Sequence, residues 1–205
     1  MSHQHSGSCG CAEAAKAADA ISTSLFPSID LSRVRCFNEA EHDMGRHCLK
    51  PWDQRNDARR TLSDPDDGEL LLHIPFTSAV HIRSLALMAW GDWRPVRVRL
   101  FVNRDDLDLS SAPDAACAQE VQLNDDTEGW LDYPLKQAKF QNVSSLQLLV
   151  TEAVGGGQSG IQFLHLKGAA TDNKRQIVNV VYESRANPAD HNKLKEENAA
   201  SQAAN

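Results

Sequence analysis

Apolar and polar positions trade places every second residue from about residue 70 onward. Val96, Val98, Leu100 and Val102 alternate with Arg97, Arg99 and Phe101, which predicts a strand with one face in a core. Val80 and Ile82 begin the same pattern. It slips at Arg83-Ser84 and resumes with Leu85, Leu87 and Ala89, as a bulge requires. Leu146, Leu148 and Val150 repeat the theme, and Ile161 to Leu166 and Ile177 to Tyr182 are rich in branched and aromatic residues at strand length. Asp64 to Thr77 joins an acidic turn to an apolar strand, Leu70 to Ile74, which Pro75 is expected to close. Pro75, Pro95, Pro113 and Pro134 are placed at strand edges or in loops, and Gly155-Gly156-Gly157 marks a loop. Short strands, turn signals and no long amphipathic helix predict an all-β sandwich or barrel.

Residues 1 to 20 mix Ser, Gly, His and Cys with an Ala-rich piece. They are expected to form a disordered tail in which Ala12 to Ile21 is at most a transient helix. Ordered chain is expected from Ser28-Ile29-Asp30-Leu31-Ser32, irregular or briefly helical, with Ile29, Leu31, Val34 and Phe37 as apolar anchors. Residues 192 to 205 read as a second disordered tail. The length of 205 residues suits one domain of roughly 150 to 170 residues with such ends.

Lys50-Pro51-Trp52-Asp53, Asp64 to Thr77 and Phe140-Gln141-Asn142-Val143-Ser144-Ser145-Leu146 together resemble the PITH domain. The Met1-Ser2-His3 opening, a nearby Cys-x-Cys and the terminal Ala186-Asn187-Pro188-Ala189-Asp190-His191 are similar to stand-alone members of that family, without a thioredoxin half. The resemblance covers most of residues 21 to 191. It implies a jelly-roll sandwich similar to galactose-binding domains, and a non-enzymatic protein-interaction module that docks on the regulatory particle of the 26S proteasome.

Composition narrows the chemistry. The net charge of -7 argues against nonspecific nucleic-acid or anionic-membrane binding, which needs clustered Lys and Arg. Five cysteines, an odd number with no leader before them, indicate a cytosolic or nuclear compartment; the longest apolar runs are far too short to span a bilayer. A monomer without cofactor is expected.

Candidate sites follow from residue type. His3, His5, Cys9 and Cys11 could capture zinc or copper, but lack the paired spacings of a structural site. Cys36, His42, His47 and Cys48 lack such spacings too, and buried cysteine commonly acts as a small apolar residue. The clusters Asp64 to Glu69 and Asp105-Asp106 offer calcium ligands or solvated turns. No Gly-x-Ser-x-Gly frames a serine, and the Gly155 to Gly160 run lacks a phosphate-loop ending. Trp90, Trp93 and Arg94 are suited to stacking on a sugar or anchoring a protein, unless one indole plugs the end of the core. Arg55, Arg59 and Arg60 beside Trp52 form a basic-aromatic patch for an acidic surface, or a flap whose charges pair with Asp64, Asp66 or Asp67. Asn187, Asp190 and His191 lie in the strand exit that leads into the tail of residues 192 to 205, which is able to order in a partner's groove.

Overall fold

The structure, a computed structural model, describes residues 10–171. Its centre is the strand β3 (Leu70–Met88), 19 residues long, which the other strands flank. With β1 (Arg35–Phe37), β4 (Arg97–Val102), β5 (Gln119–Gln122) and β7 (Val143–Val150) it forms the order β1-β3-β7-β4-β5. The second half of β3 pairs with β9 (Phe163–Ala170) on one edge and β6 (Asp132–Pro134) on the other. A separate two-stranded ribbon joins β2 (Thr61–Leu62) to β8 (Gly160–Ile161). All of these pairings are antiparallel.

One strand serves both layers because β3 changes partners partway. Its ladder to β7 shifts register between Pro75 and Val80, and its ladder to β9 shifts between Ile82 and Ser84. A strand that passes from sheet to sheet at such irregularities makes the corner of a sandwich. Leu72, Leu100 and Leu148 of one layer then meet Ile82, Leu85, Leu164 and Leu166 of the other in a single buried core. Burying each of these side chains contributes roughly 2 kcal/mol.

Both outer faces are covered as well, which explains runs such as Leu70-Leu71-Leu72 where simple alternation would place a polar residue. Leu71, Phe101 and Leu149 lie under Leu107 and Ala112 of the loop following β4. Met88 and Phe163 lie under Trp52 and the helix α1 (Gly10–Ser22). Strands buried on two faces lose their period.

The structure corrects three expectations. Pro75 does not end its strand: it pairs across from Ser145, and its carbonyl accepts the Asp30 amide on the opposite side, so the missing proline N–H is not needed by the β7 ladder. The segment expected as a disordered tail is helical from Gly10 to Ser22. Alanine favours helix, but 13 residues alone are too few to hold one in water. Burial of Ala20 against the Trp52 cluster supplies the rest, and the chain then leaves along β9 through Leu25 N–H to Leu166 O. Ile29 and Val34 are buried anchors, whereas Leu31 and Phe37 each remain 36% exposed.

The slip at Arg83, the strands β4 and β7 and the Gly155 loop stand where the pattern places them, with β7 buried on both faces. Residues 161 to 166 divide at Gln162 between β8 and β9. The strand expected at Ile177 to Tyr182 lies outside the described residues.

Candidate interaction surface

Lys50 is the first residue that shapes this region. It is buried, and its Nζ donates to the carbonyls of Asp57 (2.8 Å) and Arg59 (2.6 Å), folding residues 51–59 back on themselves. Desolvation holds the Lys50 ammonium below its ordinary pKa. Pro51 starts a short turn, Trp52–Gln54, which turns the Trp52 indole inward to 4.9 Å from the Trp130 ring and 5.8 Å from Phe163.

Arg55 then stacks on this cluster. Its guanidinium carbon lies 4.6 Å from the Trp52 ring and 5.3 Å from Trp130, and its Nε donates to the Glu128 carbonyl at 3.1 Å. Arg59 turns instead to Asp57, Nη2 to Oδ2 at 2.8 Å, and its hydrogen bonds hold the Asp57 carboxyl down to about 2. Arg60 lies 5.4 Å over the Trp93 ring. Of the two alternatives, the flap whose charges pair with Asp64, Asp66 or Asp67 is not what forms, although Trp52 is buried as that alternative had it. Asp64 and Asp67 accept the main-chain amides of Asp66 and Glu69 and build their own turn, with Asn38 donating to Asp67.

Trp90 and Trp93 meet edge to face at 5.0 Å around the Gly91–Trp93 turn. Trp93 packs on the main core, where a Cβ on Gly160 would stand 2.7 Å from its ring. Trp90 packs on the cluster of Trp52 and Phe163. Arg94 is committed internally: Nε to Asp125 at 2.7 Å and Nη1 to the Leu123 carbonyl at 2.5 Å.

The two candidate patches are thus one. All four tryptophans of the chain, Trp52, Trp90, Trp93 and Trp130, form a band at one side of the sandwich with Arg55 and Arg60 laid over it. Trp130 is the member that sequence reasoning missed. Its only signal is Gly129 before it, held at φ +76 while the Asp126 carboxylate caps the amides of Glu128, Gly129 and Leu131.

Burial pushes the thiols of Cys36 and Cys48 up, Cys48 to about 11, which makes neither a ready nucleophile. Among the described residues no three His, Cys, Asp or Glu side chains are grouped to share an ion. His3, His5, Cys9 and Cys11, like Asn187, Asp190 and His191, lie outside the described residues. No helix among the described residues is long and apolar enough to cross a membrane.

A sequence profile described as PITH domain matches residues 15–186. PITH domain-containing protein 1 of Xenopus laevis is 36% identical over 197 residues, spanning 93% of this chain and 94% of its own. Its namesake in Homo sapiens is 34% identical over 202 residues, 93% of this chain and 94% of its own. Among solved structures, the C-terminal domain of a chitobiase from Bacteroides fragilis matches with a TM-score of 0.50 at 16% identity, over 70% of this chain and 94% of that one. A fucolectin from striped bass serum also gives 0.50, at 6% identity, over 72% of this chain and 49% of that one. At such identities the likeness is one of fold, a β-sandwich like that of galactose-binding domains, as the resemblance to the PITH domain implied.

Proposed function

We propose, from the premise that this chain belongs to the PITH domain family, that it is a non-enzymatic adaptor docking on the regulatory particle of the 26S proteasome. The observation that carries this reading is the band of four indoles capped by Arg55 and Arg60. Tryptophan and arginine dominate the energetic centres of protein interfaces, where an amphipathic ring supplies area and a stacked guanidinium stays rigid enough to pair with a carboxylate. With both sheet faces already covered, contact falls to loops and edges: Arg55, Arg59, Arg60, Trp90, Trp93 and Arg94, joined by the segment of Asn187, Asp190 and His191. The adaptor works as a monomer in the cytosol or nucleus and recognises its partner without bond-making.

A carbohydrate-binding module is the second reading, and Trp90 and Trp93 at the end of a sandwich are what favours it. Their rings are turned on each other, Arg60 covers Trp93, and Arg94 is engaged by Asp125, which leaves less open stacking surface than a sugar platform needs. The test of the first reading is a pull-down from cytosol with the full chain and with a chain ending at Ala186. Regulatory-particle subunits recovered by the full chain support docking; their absence, with the chain folded, refutes it.

A further inference from the structure

We propose that the open groove beside β1 receives an extended acidic peptide segment of a partner, which adds to the sheet at Cys36. This rests on the reading of the chain as a protein-docking module and names the chemistry of one partner segment.

β1 is the end strand of its layer. The register fixes which of its main-chain groups are free. Pro75 O accepts the Asp30 amide on the β1 side, and Ser145, opposite Pro75, accepts the Asn103 amide on the far side. Leu71, His73 and Pro75 therefore turn their main-chain groups toward β1, because successive residues of a strand point alternately to its two edges. Arg35 and Phe37 face His73 and Leu71 and engage them. Cys36 points its N–H and C=O the other way, into the groove, and neither has a main-chain partner among the described residues.

The groove has a volume of about 420 Å³ and runs along Val34, Cys36 and Phe37 to Gly45 and Arg46. It adjoins a second, about 400 Å³, through the shared Asp43 and Arg46. In a chain of net charge -7 this pair of grooves carries Arg35, Arg46, Lys50 and Arg59 against Glu39 and Asp43, and with Lys50 held by two carbonyls and Arg59 paired to Asp57, Arg35 is the cation left to meet a ligand. The anions are already engaged. Glu39 accepts the amides of Asp43 and Gly45, and Asp43 pairs with Arg46 Nη2 at 2.8 Å. Arg46 Nε is buried without an acceptor among the described residues, and Arg35 has no acidic partner among them. A carboxylate arriving along the groove would pair with the exposed Arg35. Leu31 and Phe37, the half-exposed residues on its rim, take apolar side chains of the incoming strand. Main-chain pairing with alternating acidic and apolar contacts is the chemistry of strand addition.

The probe is a fluorescein-labelled hexapeptide alternating aspartate with valine, and its control carries lysine for aspartate. Each is titrated against the full chain by fluorescence anisotropy and by amide NMR. Saturable binding of the acidic peptide, a shift and slowed exchange of the Cys36 amide, and a roughly tenfold loss with Arg35→Glu support the proposal. Arg35 is exposed, so that variant tests the groove with the fold intact; Phe37→Ser gives a second loss by a different contact. No saturable binding, equal binding of the lysine peptide, or shifts confined to the indole band overturn it. Particle recovery is measured in parallel: particles recovered without peptide binding refute the groove and leave the adaptor reading standing, and loss of both refutes both.

Discussion

The Nε2 atom of His165 lies 3.2 Å from the Ala20 carbonyl oxygen, so β9 holds the end of helix α1 through an imidazole that must carry its proton on Nε2. Ala20 O is one of the carbonyls that a helix end leaves without an internal partner. Burial in this cluster lowers the His165 pKa to about 4 from an ordinary 6.5, the hydrogen bond to Ala20 opposing only part of that shift. Between those values the unfolded chain binds a proton that the folded chain refuses. Stability is therefore full above pH 6.5 and falls as the pH drops toward 4, with a slope approaching about 1.4 kcal/mol per pH unit. Urea denaturation across this range measures the slope, and His165→Gln, which keeps a donor but cannot titrate, is expected to flatten it.

Gly168→Ala is expected to cost about 3 kcal/mol or to prevent folding, because an added Cβ would stand 1.9 Å from the His81 carbonyl oxygen, a main-chain atom beside the register shift of β3 and β9. Thermal unfolding measures the loss. Gly156→Ala is the control: nothing lies near its Cβ, and only its φ of +71 is strained, so the cost stays near 1 kcal/mol.

How far the sequence reached is visible in these elements. The core-facing positions Val98, Leu100, Leu146, Leu148 and Val150 recur every second residue and located β4 and β7, as the same spacing located the slip at Arg83; Phe101 and Leu149, between them, are buried too, under the loop that follows β4. The same rule misjudged Pro75, since which edge a residue's N–H faces is set by register, and register is a long-range property. Ala12 to Ile21 reads as a transient helix, but the docking of α1 was illegible because its contacts run through Ala17 and Ala20, small residues that look alike in a docked helix and a loose tail. Arg55, Arg59 and Arg60 were found as candidates, but their partners Trp130, Asp57 and Trp93 depend on a fold-back that Lys50 imposes through two carbonyls.

The stacking of Arg55 on Trp130 predicts a measurable coupling. Arg55→Ala and Trp130→Ala, singly and together, are expected to give an interaction energy of about 1 kcal/mol in urea denaturation. Additive effects would mean that the guanidinium acts through Trp52 and its hydrogen bonds to the Trp52 and Glu128 carbonyls and not through Trp130.

Trp93→Ala is expected to destabilise the chain by about 3 kcal/mol, since its ring packs on the core beside Gly160 and under Arg60. On a glycan array the wild-type chain is expected to stay silent. Binding of a defined sugar that Trp93→Ala abolishes, with the variant still folded, would favour the carbohydrate reading over docking.

Recognition of the proteasome regulatory particle through loops and edges is the role proposed for this sandwich. Co-sedimentation of the purified labelled chain with purified 26S particles tests it most directly. Saturable, stoichiometric binding that weakens when Arg55 and Arg60 are both replaced by glutamate is the predicted result. A folded chain that stays in the supernatant at every particle concentration would contradict it.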